Sequence, residues 1–302
     1  MKQIILYFFL ITFNIAAAQQ QPCASIVLPK LSDEIRKRYE QNLDEARSTF
    51  NIDSLQAEHI IWYGRRTAYL GRYMEAIDIF TKGLALHPTN PRFYRHRGHR
   101  YITVRCFDKA ILDLSKGAEM LKDQVDEIEQ DGLPNAQNIP TSTLKTNMLY
   151  HLGLAHFIKG EYKNALNAYT ESIRLTDNDD MYVATANWLY ITMLRLGQKK
   201  EAEELLQTIH PGLDLIENRD YYDILMLYKT GNDKDLLTRT QAMDSISNAT
   251  SGFGLANYYL EKGQKKKAKE IFEKILNGNQ WASFGFIAAE AELKRMKQKK
   301  SV

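Results

Sequence analysis

A spacing of 34 residues constrains this chain more than any other feature: Ala76 and Ala110 are separated by it, as are Gly64 and Gly98, and each pair stands in the same local pattern. One copy reads Ile60, Tyr63, Gly64, Gly71, Tyr73, Ala76, Phe80 and Pro88. The next reads Tyr94, Arg97, Gly98, Tyr101, Phe107, Ala110, Leu114 and Gly117. A period of this length marks a stack of helix-turn-helix units, each too small to bury its apolar face alone. The small residues fall where two helices must approach closely, and the aromatics fill the gaps between them. Apolar side chains recur at three and four along each helix, as in Ile77, Phe80 and Leu84 or Leu205, Leu206 and Ile209. With seven prolines in 302 residues and no alternating β-branched runs, the chain reads as all-α.

The pattern continues through Leu149, Leu152, Gly153, Gly160, Tyr162, Ala165 and Tyr169, then Ala186, Leu189, Gly197, Ala202 and Leu206. Leu255, Tyr259, Gly263, Ala268, Phe272 and Ile275 form the last unit, and Gly231 marks a degenerate one at about Arg219 to Met243. These residues resemble the tetratricopeptide repeat pattern W-x-x-L-G-x-x-Y…A-x-x-x-F…P, with Ile60 and Tyr94 in place of the Trp. The resemblance implies an α-solenoid of about six units over 57–280: 57–90, 91–124, 146–179, 183–212, a degenerate 217–248, and 249–280. An insertion of about 125–145 interrupts it. Capping elements are expected on both sides: a segment at 19–56 with a helix from Asp33 to Ser48, and an amphipathic helix in 281–302 with a polar outer face.

Residues 1–18 have the layout of a secretory signal: Lys2, an apolar run from Ile4 to Ile15, and Ala16-Ala17-Ala18 as the cleavage site. The run is short of the ~20 residues that span a bilayer. The expectation is an exported mature chain, periplasmic or secreted, beginning at Gln19; an uncleaved anchor is the alternative. Gln20-Gln21-Pro22 before Cys23 speaks against a lipoprotein. Cys23 and Cys106 then share a compartment that permits a disulfide, and either a bond or two free thiols fits the sequence.

The net charge of +3 falls to +2 without the signal and says little; its distribution says more. Arg92, Arg95, Arg97, Arg100 and Arg105, with His96 and His99, form a run with no acid. The family resemblance implies that the first helix of each unit lines a concave groove, which assigns Glu58, Ile61, Arg65 and Tyr69, then Arg92, Arg95 and His99. It goes on to assign Asn147, Tyr150, Leu154 and Phe157, then Asn187, Ile191 and Arg195. Arg65, Arg95 and His99 are expected to clamp a carboxylate or phosphate, since guanidinium offers a planar two-pronged donor. Tyr150, Leu154 and Phe157 would form an apolar floor. The Lys and Asn pattern by which chaperone-binding relatives hold a C-terminal carboxylate is absent, because Ile61, Arg65, Tyr150 and Leu154 occupy those places.

The insertion opens with Asp123, Asp126, Glu127, Glu129 and Asp131, expected to extend the preceding helix by two turns until Gly132 and Pro134 end it. These acids could pair with the arginines or simply be solvated. The stretch Asn135 to Thr143, with Asn135, Asn138 and Thr141, either folds over the groove mouth to shape a pocket or braces the stack, and Thr141 or Thr143 caps the next helix. The whole insertion also resembles exported bacterial tetratricopeptide repeat proteins, which supplies no activity.

No H-E-x-x-H, G-x-S-x-G, C-x-x-C or phosphate-cradling Gly-rich loop occurs, so neither metal nor cofactor is implied. His96 and His99 are a weak metal pattern, and Asp177, Asp179 and Asp180 resemble a calcium loop only superficially. The terminal lysines read as solvated, so neither nucleic acid nor stable membrane insertion is expected. The expected function is a non-catalytic scaffold or adaptor that binds a protein segment with an acidic or C-terminal group. The alternative is a small-ligand or glycan-binding protein closed by the 125–145 loop; an enzyme comes third.

Overall fold

In a computed structural model, residues 21–241 and 248–298 are described; the signal expected at 1–18 lies outside them. An opening helix α1 (Asp33–Ile52), started by Ile35 N–H donating to Ser32 Oγ at 3.3 Å, leads into a series of helical hairpins. The first two are α2 (Ala57–Tyr69) with α3 (Tyr73–Leu86) and α4 (Pro91–Thr103) with α5 (Phe107–Leu121). After the insertion come α6 (Leu144–Lys159) with α7 (Tyr162–Leu175), then α8 (Asp179–Arg195) with α9 (Lys199–Gln207). The degenerate unit is a short pair, α10 (Arg219–Thr230) and α11 (Lys234–Gln241), and α12 (Ala249–Glu261) with α13 (Lys265–Leu276) completes the stack. The described residues thus form an α-solenoid.

The 34-residue pattern works through small residues facing large ones. A Cβ at Gly64 would collide with the Phe80 ring, one at Gly98 with Leu114, and one at Gly153 with Tyr169. Between units, Gly83 makes the same room for Phe93 and Gly117 for Met148. Ala76, Ala110, Ala165, Ala202 and Ala268 are fully buried at the matching place of each second helix.

Hairpin turns at Gly71, Gly160, Gly197, Gly231 and Gly263 adopt left-handed backbone with φ between 73° and 83°. In the second hairpin Arg105 holds that position at φ 63°, a conformation that costs a side-chain-bearing residue about 1 kcal/mol. Its side chain makes the strain tolerable. Arg105 Nε donates to Glu290 Oε2 at 2.9 Å, Nη2 donates to the Trp281 carbonyl at 2.9 Å, and the guanidinium lies 3.8 Å from the Trp281 ring centre.

Both ends of the described chain therefore meet the second hairpin. Cys23 is bonded to Cys106, and Cys23 N–H donates to the Val104 carbonyl at 3.1 Å. Cys106 is buried rather than displayed at its turn. On the other side, α14 (Phe284–Gln298) packs on α12 and α13 but also reaches α6, where Arg295 Nη2 donates to the Phe157 and Ile158 carbonyls at 3.0 and 2.6 Å. The expectation of a cap with a polar outer face is corrected here: Phe286, Ile287, Ala288, Ala289 and Leu293 are buried because the helix has protein on more than one side. Trp281 before it stacks on Tyr73 of α3 at 5.9 Å between ring centres.

Replacing Arg105 by Gly should relieve the turn yet release α14. Hydrogen–deuterium exchange should then accelerate about tenfold across Phe284–Gln298, as expected for the loss of about 1.4 kcal/mol of local contacts, while α2 to α5 stay protected. Equal protection in the variant would mean that α12 and α13 alone hold the helix.

Candidate functional site: a cationic cavity on the concave face

Helix α4 carries its basic residues on several faces, and each finds a different environment. Arg97 forks onto Asp113 of α5, with Nε to Oδ2 at 2.7 Å and Nη2 to Oδ1 at 2.8 Å. Arg92 pairs with Glu58 of α2. Arg95, His96, His99 and Arg100 lie toward α2 and α6, where the insertion covers them.

The insertion does not prolong α5 as expected. The helix ends at Leu121, and Asp126 accepts from Thr143 Oγ1 at 2.6 Å and from Lys145 N–H at 3.0 Å, which folds the segment back toward α6. An antiparallel bridge between Ile128 and Thr143 follows, with Glu129 N–H donating to the Ser142 carbonyl at 3.1 Å. Thr143 Oγ1 accepts from Thr146 N–H and caps α6 as expected.

This hairpin-like fold aims Glu129 inward. Arg95 Nε donates to Glu129 Oε2 at 3.1 Å and Nη2 lies 3.1 Å from Oε1, with the two side chains only 7% and 5% exposed. Asn147 Nδ2 donates to Glu129 Oε2 at 3.2 Å. Arg95 Nη1 donates to His99 Nδ1 at 3.1 Å, which makes that nitrogen an acceptor and the ring neutral. Farther along, Arg65 Nη2 donates to the Gln130 carbonyl at 2.8 Å and Arg66 Nη1 to the Gly132 carbonyl at 2.6 Å. A side chain at Gly132 would collide with the Tyr69 hydroxyl, so glycine permits this close approach.

What remains beneath is a cavity of about 80 Å³ walled by Arg65, Tyr69, Arg95, His96, His99, Arg100 and Glu129. Burial, reinforced by the neighbouring guanidiniums, holds His96 and His99 well below the usual histidine range. His151 of α6 is held down in the same way, and its Nδ1 bonds to the Asn147 carbonyl at 2.7 Å. Burial also lowers Arg100 to about 10, which leaves it charged at neutral pH. Outside the wall, burial and the nearby Glu217 raise the Asp131 carboxyl to about 6 against the pull of Arg65.

Of the residues read from the sequence, Arg65, Tyr69, Arg95 and His99 do converge, together with Asn147 through Glu129. The apolar floor is corrected. Leu154 and Phe157 are fully buried in the core, Phe157 against Trp188 at 5.3 Å between ring centres, because α8 and α12 pack over them. Tyr150 is buried too, its hydroxyl accepting from Trp188 Nε1 at 2.9 Å. Asn187 is buried in α8, and Arg92 is tied to Glu58. The neighbouring stretch of the groove is occupied by Phe284, whose ring lies 5.3 Å from His99 and 5.2 Å from His151.

In the loop, Asn135 closes its own turn by accepting from Gln137 N–H at 3.1 Å, and Asn138 takes left-handed backbone at φ 54°. Thr141 donates to Glu217, ahead of α10. This part braces the stack, whereas Glu129 lines the cavity and Gln130 holds Arg65 beside it. His96, Arg100, His151, Glu129 and Phe284 were missed as site residues. For the first two the signal was present, since they stand four apart on the basic helix and share a face.

The three buried histidines set a pH dependence. Their folded affinity for protons is depressed, so their contribution is complete above about 6.5 and is lost as pH falls, because only the unfolded chain gains the protons. Asp131, raised when folded, acts oppositely as pH drops through about 6 and offsets one of the three. Urea titrations should therefore show stability falling between pH 7 and 5, by up to about 1.4 kcal/mol per unit for each histidine. His96→Phe, stacked on Phe80, should flatten the slope; a flat wild-type profile would mean that the rings are hydrated.

A tetratricopeptide repeat family model matches residues 146–179 and 253–277, the third hairpin and the last. Among solved structures, the chain is similar to MamA of AMB-1 at 17% identity over 57% of this chain and 88% of that one, with a TM-score of 0.43. It is also similar to YrrB, described as a TPR protein with an unusual peptide-binding site, at 14% identity over 82% of this chain and 97% of that one, with a TM-score of 0.44. At such scores these likenesses assign neither site nor ligand to this chain. The chain thus carries tetratricopeptide repeats at 146–179 and 253–277, and its first two hairpins share the glycine-against-large interlock of the third.

Proposed function

We propose that the chain is an exported, non-catalytic interaction scaffold that takes an acidic segment of a partner protein on its concave face, with its own Glu129 occupying that place until the partner displaces it. One observation carries this reading. An acidic side chain on an extended segment already sits on Arg95 with two-pronged geometry, so the groove accepts a carboxylate delivered by a chain running across it. The fold is one whose repeats serve as protein-interaction scaffolds. Fold alone does not fix function, so the site geometry bears the weight. No described helix is long and apolar enough to cross a membrane.

Export is supported by the layout of residues 1–18 and by the Cys23–Cys106 bond, which persists in an oxidising compartment. The proposed destination is the periplasm or the medium. Mass spectrometry of the native protein should find Gln19 as its first residue; an intact Met1 or a lipid on Cys23 would remove this part of the reading.

For the partner, fluorescence anisotropy with a glutamate-rich peptide compares wild type with Glu129→Gln and Arg95→Met. Glu129→Gln keeps the insertion's shape but frees the arginine, and should tighten binding about tenfold, equivalent to about 1.4 kcal/mol. Arg95→Met should abolish it. Unchanged affinity in Glu129→Gln would discard the competition. A second reading, small-ligand binding, is favoured by the cavity that the insertion closes.

A further inference from the structure

That cavity holds more positive charge than its wall can balance. Arg65, Arg95 and Arg100 face a single carboxylate, Glu129, and Glu129 is engaged by Arg95. Arg65 is 8% exposed and His96 5%; Arg65 Nη1 and His96 Nε2 are buried without a hydrogen-bond partner. Arg100, which is half-buried, makes no hydrogen bond or ion pair with any described residue. The Trp62 ring, 4.4 Å from the Arg65 guanidinium, offsets part of that charge, and Asp131 faces Arg65 from outside the wall. Neither reaches Arg100.

Buried donors without partners are costly, and buried guanidiniums without counter-charge more so. Ordered water would satisfy the donors but leave the charge. An anion would do both. The donors also converge from different directions: Arg65 from α2, and His96 and Arg100 from successive turns of α4, with the Tyr69 hydroxyl beside them. The unpaired Arg65 Nη1, the Arg100 fork and the neutral His96 ring suit an anion that accepts on several oxygens at once. The volume, about 80 Å³ beneath the insertion, admits a small free ion.

We infer that this cavity binds a small oxyanion of the phosphate or sulfate type, held by Arg65, His96 and Arg100. The ion sits beside the Arg95–Glu129 pair, so the site works with the insertion closed and does not depend on the partner reading. It also gives the insertion a second function, that of the roof over the ion, since Gln130 orients Arg65 through its carbonyl.

The test is calorimetric titration of the full chain with sodium phosphate and sodium sulfate, with sodium acetate and sodium chloride at matched ionic strength as controls, alongside thermal unfolding in each. Wild type should bind phosphate or sulfate saturably at one site and melt higher in their presence, with no such response to acetate or chloride. Arg100→Gln should weaken binding at least about tenfold, as for loss of a charge-assisted contact, while melting in chloride no lower than wild type because it removes an unbalanced, half-buried charge. Arg65→Gln is the second variant and should lose the response in the same way. Absence of a saturable response in wild type overturns the site, as does an undiminished response in both variants. The peptide assay is separate, so loss of one result leaves the other standing.

Discussion

The structure depends on helices brought to within a glycine's width of each other. Gly64, Gly98 and Gly153 each face a large side chain from the second helix of their own hairpin, and Gly83 and Gly117 face one from the next hairpin. Alternation of small against large within and between units locks the orientation of α2 to α7 to their neighbours, as close packing requires. A solenoid is a sum of such neighbour contacts, so the position of any residue on the concave face follows from the locks beneath it. The meeting of Arg65 on one helix with Arg95 and Arg100 on another is a consequence of those locks.

Packing of this kind was legible because its signal is local. The period placed α2 to α9, and the Gly231 offset found the short pair α10 and α11. Thr143 was readable as a cap because its capping oxygen acts three residues away. Arg105 was also readable in principle, 34 residues after Gly71 and therefore at a turn that favours glycine. Its partners were not, since Glu290 and Trp281 lie far along the chain. The insertion misled for a related reason. Its acids have helical spacing, but Asp126 is drawn to the start of α6 and Glu129 to Arg95, and those tertiary bonds outweigh local preference. Phe284 and Trp281 read as a cap because a repeat pattern identifies helices and says nothing about a segment that returns across the groove.

The residues from Arg92 to Arg105 show how differently one run of arginines can be used. Arg97 and Arg92 join neighbouring helices, Arg105 holds a turn and a terminus together, and Arg95 receives the insertion. Only the inward side, with Arg65 opposite, keeps cations beyond what the protein neutralises. A charge run on a solenoid is thus resolved residue by residue, by what each neighbouring helix or returning segment offers, and its functional part is the remainder left after the structural pairs are subtracted.

The attachment of both ends of the described residues to the second hairpin has a mechanical consequence. A stack of repeats open at both ends frays one unit at a time, because an end unit has a single interface to lose. Here the leading segment is covalently tied at Cys106, and the trailing helix is fastened through Trp281 and Arg105 beside it. The linear array becomes a loop with one clasp. Tension on the termini would be borne at that clasp before any end unit could peel, and a partner that opened the groove would have to work against the whole ring at once.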